Sequence, residues 1–189
     1  MPTKKSTPTS FIYQLKVTLR DSHPPIWRRI QVSGDVTLAK LHLILQEVMG
    51  WTDSHLHQYI VNGIYIGVPD PDDWTRVENE KRFKLSQIVP GEKFKFVYEY
   101  DFGDDWMHNI VVEKVLPPEP GVHYPVCLKG KGACPPEDCG GIYGYYGLLE
   151  TLQHPDHAEH DEMLEWAGGE FDPEAFDLDE INQALKRLK

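Results

Sequence analysis

EKFKFVYEYDFGDDWMHNIVVEKVL, residues 92–116, holds two apolar alternations on either side of a short polar stretch. Phe94, Phe96, Tyr98 and Tyr100 fall on one face, which is the period-two signature of a half-buried strand. DFGDDW turns the chain, and HNIVVEKVL returns as a second strand. The pair forms the longest hairpin of the chain, so the fold is organised around a sheet. Upstream, FIYQLKVTL places Phe11, Tyr13, Leu15, Val17 and Leu19 on one face. RDSHPP breaks that strand, and IWRRIQV resumes the alternation, giving two further antiparallel strands. Leu38, Leu41, Ile44, Leu45, Val48 and Met49 then recur at helical spacing. Thr37 serves as N-cap and Gly50 as the C-terminal stop of a helix over 37–49. LHQYIVNGIYIGV adds two short strands around Asn62-Gly63, the residue pair a two-residue hairpin turn prefers. PDPDDWTRVENEK is a polar loop, and KLSQIVPG is one helical turn.

Downstream of the hairpin the pattern changes. GYYGLLETLQH, DHAEHDEMLEWAGG and DLDEINQALKRLK each predict a helix, the last with Asp177 and Glu180 at capping-box spacing. Strands with one helix come first and helices come last, which predicts an α+β fold. Its sheet is mixed or antiparallel and roll-like, with one packed helix and a C-terminal helical extension. The expected division is a disordered lead over residues 1–10 and one domain over 11–189. Within that domain, 11–116 is the sheet-based core, 117–142 a Cys/Pro/Gly loop, and 143–189 the helical extension. About 70 residues with few large apolar groups make a poor independent core, so the helices dock on the sheet. Trp166, Phe171 and Phe176 are the expected anchors.

Composition narrows the function classes. The 189 residues are 40% hydrophobic and 26% charged, as in an ordinary globular protein. No run approaches the roughly 18 apolar residues of a membrane span, so no membrane partner is expected. The N-terminal lysines are followed by no apolar stretch, so the lead does not resemble a signal peptide and a cytoplasmic location is expected. Formal net charge is −11. Residues 1–100 carry 13 Lys and Arg against 11 Asp and Glu, whereas residues 101–189 carry 6 against 19. An acidic balance of this size repels phosphate backbones at long range and disfavours nucleic acid as a partner.

Four constellations contain residues with chemistry. YDFGDDWMH packs Asp101, Asp104, Asp105 and His108 together, residue types that bind metals or move protons. Its DFG triplet lacks every other element of a kinase. CLKGKGACPPEDCGG, residues 127–141, holds all three cysteines, Cys127, Cys134 and Cys139. An odd number excludes a complete disulfide framework. Zinc takes four ligands in a closed site, so the cysteines with His108 form a candidate zinc set, with His123 as another fourth ligand; three reduced thiols are the alternative. Glu137 and Asp138 beside Cys139 oppose the thiolate a nucleophile needs. HPDHAEHDEMLEW offers His154, His157 and Asp161 at helical spacing, which also suits a solvated face. Lys16, Arg20, Trp27, Arg28 and Arg29 interleave base and aromatic, as in nucleic-acid grips.

Taken together, these stretches resemble one family. YEYDFGDDWMHNIVVEKV, CLKGKGACPPEDCGGIYGYYGLL and HAEHDEMLEWAGGEFDPEAFDLDEIN are similar to the plasmid pRiA4b ORF-3-like proteins. YQLKVTLRDSHPPIWRRIQV and MGWTDSHLHQY also fit, so the resemblance spans roughly residues 11 to 188. The family's pattern includes Asp101, Phe102, Gly103, Asp104, Trp106 and His108, then Pro135, Pro136, Glu137, Asp138, Gly140, Gly141, Gly144 and Tyr145. The resemblance implies an α/β roll with appended helices and a plasmid or mobile-element origin, but no established activity.

The leading expectation is a non-enzymatic interaction or accessory module, its two motif loops meeting at one surface, with a protein as partner. A metal-dependent hydrolase using Asp101, Asp104 and His108 is the alternative. Nucleic-acid binding through the first two strands is the third reading.

Overall fold

The computed structural model describes residues 10–70 and 76–188. Residues 1–9, where the disordered lead was expected, lie outside the described residues. Eight strands form one sheet in the order β5-β4-β3-β6-β7-β1-β2-β8. They are β1 (Ile12–Leu19), β2 (Trp27–Ser33), β3 (His57–Val61), β4 (Ile64–Gly67), β5 (Val77–Asn79), β6 (Lys95–Tyr100), β7 (Trp106–Leu116) and β8 (Val126–Lys131). Every pairing is antiparallel except β4 with β5, so the sheet is mixed and the fold is α+β.

The β6–β7 hairpin lies at the centre, with Tyr100 opposite Trp106 and Phe96 opposite Ile110. Asn62 and Gly63 both have positive φ between β3 and β4, as their turn type requires. Helix α1 (Leu38–Met49) begins at Thr37, whose side chain accepts from the Lys40 N–H, and stops at Gly50. Its apolar stripe packs on the sheet face made by Leu15, Val17, Ile30, Tyr98, Trp106 and Ile110. A single turn, α2 (Leu85–Ile88), adds Leu85 to the same core.

Three more helices follow: α3 (Gly141–Gln153), α4 (His160–Trp166) and α5 (Leu178–Arg187). Tyr145 of α3 and Leu185 of α5 join the core, with Phe171 and Phe176 packed against it. Trp166 is 45% exposed and anchors nothing, and α4 buries no residue. The helix expected over 156–169 is therefore one short exposed segment, because its chain offers few apolar side chains to hold it down.

The 117–142 segment departs most from expectation. It contains β8, an edge strand paired with β2. Asn182 of α5 accepts from the Cys127 N–H at 2.8 Å and donates to the Cys127 carbonyl at 3.0 Å, so α5 grips that strand. Arg28 completes the junction. Its buried guanidinium donates to the carbonyls of Val48, Trp27 and Lys131 and lies 4.9 Å from the Phe176 ring centre. Arg28 thus joins β2, β8, α1 and the C-terminal segment as a structural cation.

Candidate functional site

At one end of the sheet, two family-patterned loops meet the connection between α1 and β3. The turn after β6 contributes Asp101–Asp105, and the segment before α3 contributes Pro135–Gly141. Asp104 accepts from the Gly140 N–H at 3.1 Å. Gly141 has φ +68, and a Cβ there would collide with the Asp104 carbonyl, so only glycine permits this approach. Trp51 donates its indole N–H to the Pro135 carbonyl at 3.0 Å. Glu137 accepts from the Tyr100 hydroxyl at 2.5 Å and from the Thr52 hydroxyl at 2.5 Å. The Ser54 N–H in turn donates to Tyr100 at 2.9 Å. Burial, then the Glu137 hydrogen bond, hold the Tyr100 phenol well above its ordinary range.

These anchors bring together His55, Asp101 and Asp138, whose ligand atoms lie within 4.8 Å of one another. His55 Nδ1 is 3.7 Å from Asp101 Oδ2, and Nε2 is 3.2 Å from Asp138 Oδ1. The second distance is that of an ion pair, but its alignment makes no hydrogen bond, and Nε2 is a buried atom without such a partner. Asp101 spends its other oxygen on the Gly103 N–H at 2.9 Å, leaving Oδ2 toward His55. The Asp138 side chain is 70% exposed, so the cluster opens to solvent. Asp101 and Asp138 both have positive φ, a conformation uncommon outside glycine that Asp tolerates better than most.

A second cluster, His42, Asp53 and His57, lies across Tyr100. Its hydrogen bonds close on themselves. Gln46 donates to the Tyr98 hydroxyl at 3.0 Å, Tyr98 to His42 Nδ1 at 2.7 Å, and His42 Nε2–H to Asp53 at 2.7 Å. The Asp53 N–H returns to the Gln46 side-chain oxygen at 2.8 Å. This direction of donation requires a neutral His42, and burial indeed lowers its pKa. His57 stacks on His42 with ring centres 3.4 Å apart and donates to buried Glu80 at 2.7 Å. Two parallel imidazoles at that spacing cannot both direct in-plane lone pairs at one ion, and both His42 nitrogens and His57 Nε2 are already partnered. This cluster is a structural network.

The structure does not gather the ligand atoms of the expected zinc set. Among the described residues only the two clusters above bring three or more ligand atoms together, and neither contains a cysteine or His108. Cys127 points into the core from β8, and Cys139 faces the Gly141 carbonyl. Burial raises all three thiols, Cys139 to about 12, which opposes nucleophilic use. His108 is fully buried under Trp51, and burial lowers its pKa to about 4. It belongs to the core and cannot join Asp101 and Asp104 in an open site. Trp106 is likewise core, whereas Phe102 is exposed. His154, His157 and Asp161 are exposed, and α4 starts only at His160, so they share no helical face. Arg29 pairs with Glu113 through two hydrogen bonds of 2.6 and 2.8 Å. His55 was not among the candidate residues expected from sequence. Its signal was the density of ligand types in WTDSHLH directly after the helix stop.

Residues 11–180 match the family described as plasmid pRiA4b ORF-3-like protein. The chain belongs to the plasmid pRiA4b ORF-3-like family. The uncharacterized protein y4hQ of Sinorhizobium fredii is 38% identical over 179 residues, covering 94% of this chain and 92% of that protein. The crystal structure of MM3350 from Methanosarcina mazei Go1, a protein of unknown function, superposes with a TM-score of 0.82 at 40% identity. That likeness covers 90% of this chain and 97% of MM3350. The pRiA4b ORF-3-like resemblance drawn from the motifs is thus established. Of its patterned residues, Asp101, Glu137 and Asp138 line the open cluster, while Asp104, Gly140 and Gly141 fasten the two loops together. Among the described residues no helix is long and apolar enough to cross a membrane.

Proposed function

We propose that the protein holds a divalent transition-metal ion, zinc or manganese, at His55, Asp101 and Asp138 and works as a metal-dependent hydrolase. The observation that carries this reading is His55 Nε2, buried and without a hydrogen bond, 3.2 Å from the Asp138 carboxylate, with Asp101 close enough that one ligand atom from each of the three residues lies within 4.8 Å of the others at a solvent-open surface. A mixed nitrogen and oxygen set suits both ions, imidazole favouring zinc and carboxylate favouring manganese. Tetrahedral zinc with bonds near 2.1 Å needs its ligands about 3.4 Å apart. The 3.2 Å from His55 Nε2 to Asp138 Oδ1 is close to that figure, and one ligand atom from each of the three residues lies within 4.8 Å of the others. Three protein ligands leave a coordination position open, the arrangement in which a bound ion activates water for hydrolysis. Glu137, fixed by Tyr100 and Thr52, holds the Asp138 loop in place, and the Asp101 side chain is oriented by the Gly103 N–H.

A second reading, the interaction or accessory module of plasmid origin, is favoured by exposed apolar residues at the same rim. Leu56, Phe102 and Tyr143 are 64%, 48% and 88% exposed. Such side chains around a polar centre give a protein partner a place to pack.

Calorimetric titration of chelator-stripped protein with zinc and manganese tests the metal site. About one equivalent is expected to bind, with at least tenfold weaker binding in Asp101→Asn and Asp138→Asn. No uptake, or equal uptake in both variants, would overturn the site. Metal-restored cleavage of chromogenic phosphate or carboxylate esters separates the hydrolase from the interaction module, which binds the ion without turnover.

A further inference from the structure

The opposite face of the sheet carries a row of cations that the metal reading does not use. Along β1, β2, β6 and β7 the residues facing the helices are mostly buried, and the alternate residues, apart from Ile12 and Gln14, are mostly partly or fully exposed. No described helix contributes to that second face. The strand register aligns its side chains across the sheet. Lys129 of β8 pairs with Arg29 of β2, Arg29 with Lys16 of β1, Lys16 with Val111 of β7, and Val111 with Lys95 of β6. Four cations therefore stand in one row across five strands. At about 4.8 Å per strand the row is roughly 19 Å long. The neighbouring row runs from Lys131 through Trp27, Thr18 and Asn109 to Val97. Trp27 has Lys16 at 5.1 Å and Arg29 at 5.3 Å from its ring centre. The row opens into a hollow whose polar lining is Gln14, Arg29, Lys93, Lys95, Lys114 and one acid, Glu113.

Like charges directly opposite each other in a sheet are destabilising. Here Lys16 opposes Arg29 and Arg29 opposes Lys129, and of these only Arg29 has an acidic partner, Glu113. In a chain of net charge −11 the row is enriched in cations, although Glu113 and Glu99 lie on the same face beside it. Whole-chain charge argued against a polyanionic partner, but a partner responds to the face it meets. An open sheet face, a line of cations interrupted only at Val111, an aromatic ring beside it and amide or hydroxyl groups along the next row are what a single-stranded nucleic acid needs.

We infer that this face binds single-stranded nucleic acid, with the sugar-phosphate backbone along Lys129, Arg29, Lys16 and Lys95. The inference is independent of the metal site, and its test is run in EDTA so that the two are separated. Fluorescence anisotropy of a labelled 20-nucleotide DNA or RNA single strand, across a salt series, is the measurement. Binding is expected to weaken steeply with salt. The triple variant Lys16→Gln, Lys95→Gln, Lys129→Gln should lose at least tenfold in affinity. Its slope of log affinity against log salt should fall by about 2, at roughly 0.7 per phosphate contact in single strands. The substitutions relieve like-charge contacts, so the variant should fold, and Lys129→Gln alone should lower the slope by under 1. No binding to either strand, an unchanged slope in the variants, or tighter binding to polyglutamate than to the oligonucleotides would each overturn the assignment.

Discussion

His108 sits near the start of β7 with the edge of Trp51 against its ring at 5.2 Å and Tyr98 at 5.4 Å. Neither ring nitrogen makes a hydrogen bond. A metal ligand would need further donor atoms gathered around one nitrogen, and among the described residues none gather at His108, so its buried imidazole carries only its desolvation cost. His108→Leu is therefore expected to change stability at pH 7 by less than about 1 kcal/mol, or to raise it. The pH dependence distinguishes the two cases further. Burial lowers the folded-state pKa of His108 from 6.5 to about 4. Between those values the unfolded chain binds more protons than the folded one, so stability falls as pH drops. From pH 7 to pH 5 the loss attributable to His108 is about 2 kcal/mol. Urea unfolding at both pH values should show the parent losing that much more than His108→Leu. Equal losses, or a large destabilisation of the variant at pH 7, would contradict the core assignment. The pattern YDFGDDWMH marks His108 and Asp101 alike. Strand alternation puts His108 on the helix-covered face, and only the turn at Asp101 reaches the surface.

Helix α1 is the element on which the core closes. Leu38, Leu41, Ile44 and Leu45 are all fully buried against the sheet. Leu45→Ala removes three carbons from a packed interior, and about 2–5 kcal/mol of unfolding free energy should be lost. A change near zero in thermal or urea unfolding would show that α1 lies outside the core. Elements of this kind were legible from sequence because period, cap and stop agree, as at Thr37 and Gly50. The Asn62-Gly63 turn and the β6–β7 hairpin were legible for the same reason. Strand β8 was not. Its VCLKGK has no alternation, Leu128 is exposed, and the β2–β8 register shifts between Arg29 and Ile30. What holds it is Asn182 on a helix 55 residues away, a contact no local pattern announces. Helix α4 fails the other way: its sequence carries helical spacing, but Trp166 finds no surface to pack on.

At the scale of the molecule, one sheet separates two functional faces. Helices cover one side, the loops at its end gather the His55, Asp101 and Asp138 cluster, and the other side presents the cationic row. Tyr145, Leu185 and Phe176 tie the C-terminal helices to the same core, which is what brings the Glu137–Asp138 loop to the β6–β7 turn. The meeting of those two loops was legible in outline, since both carry the family pattern. The ligand set was not, because cysteines clustered in sequence need not converge in space. Their side chains are drawn into the apolar junction of β8, Arg28 and α3, while His55 enters from a connection that looked like ordinary polar chain. The central claim is that the ion belongs to the carboxylate and imidazole cluster and not to the thiols. Anomalous scattering from a crystal grown with manganese or zinc, recorded at the metal's absorption edge, addresses it directly. The expected result is one peak within bonding distance of His55, Asp101 and Asp138. A peak among Cys127, Cys134, Cys139 and His108, or no peak at the carboxylate cluster, would contradict it.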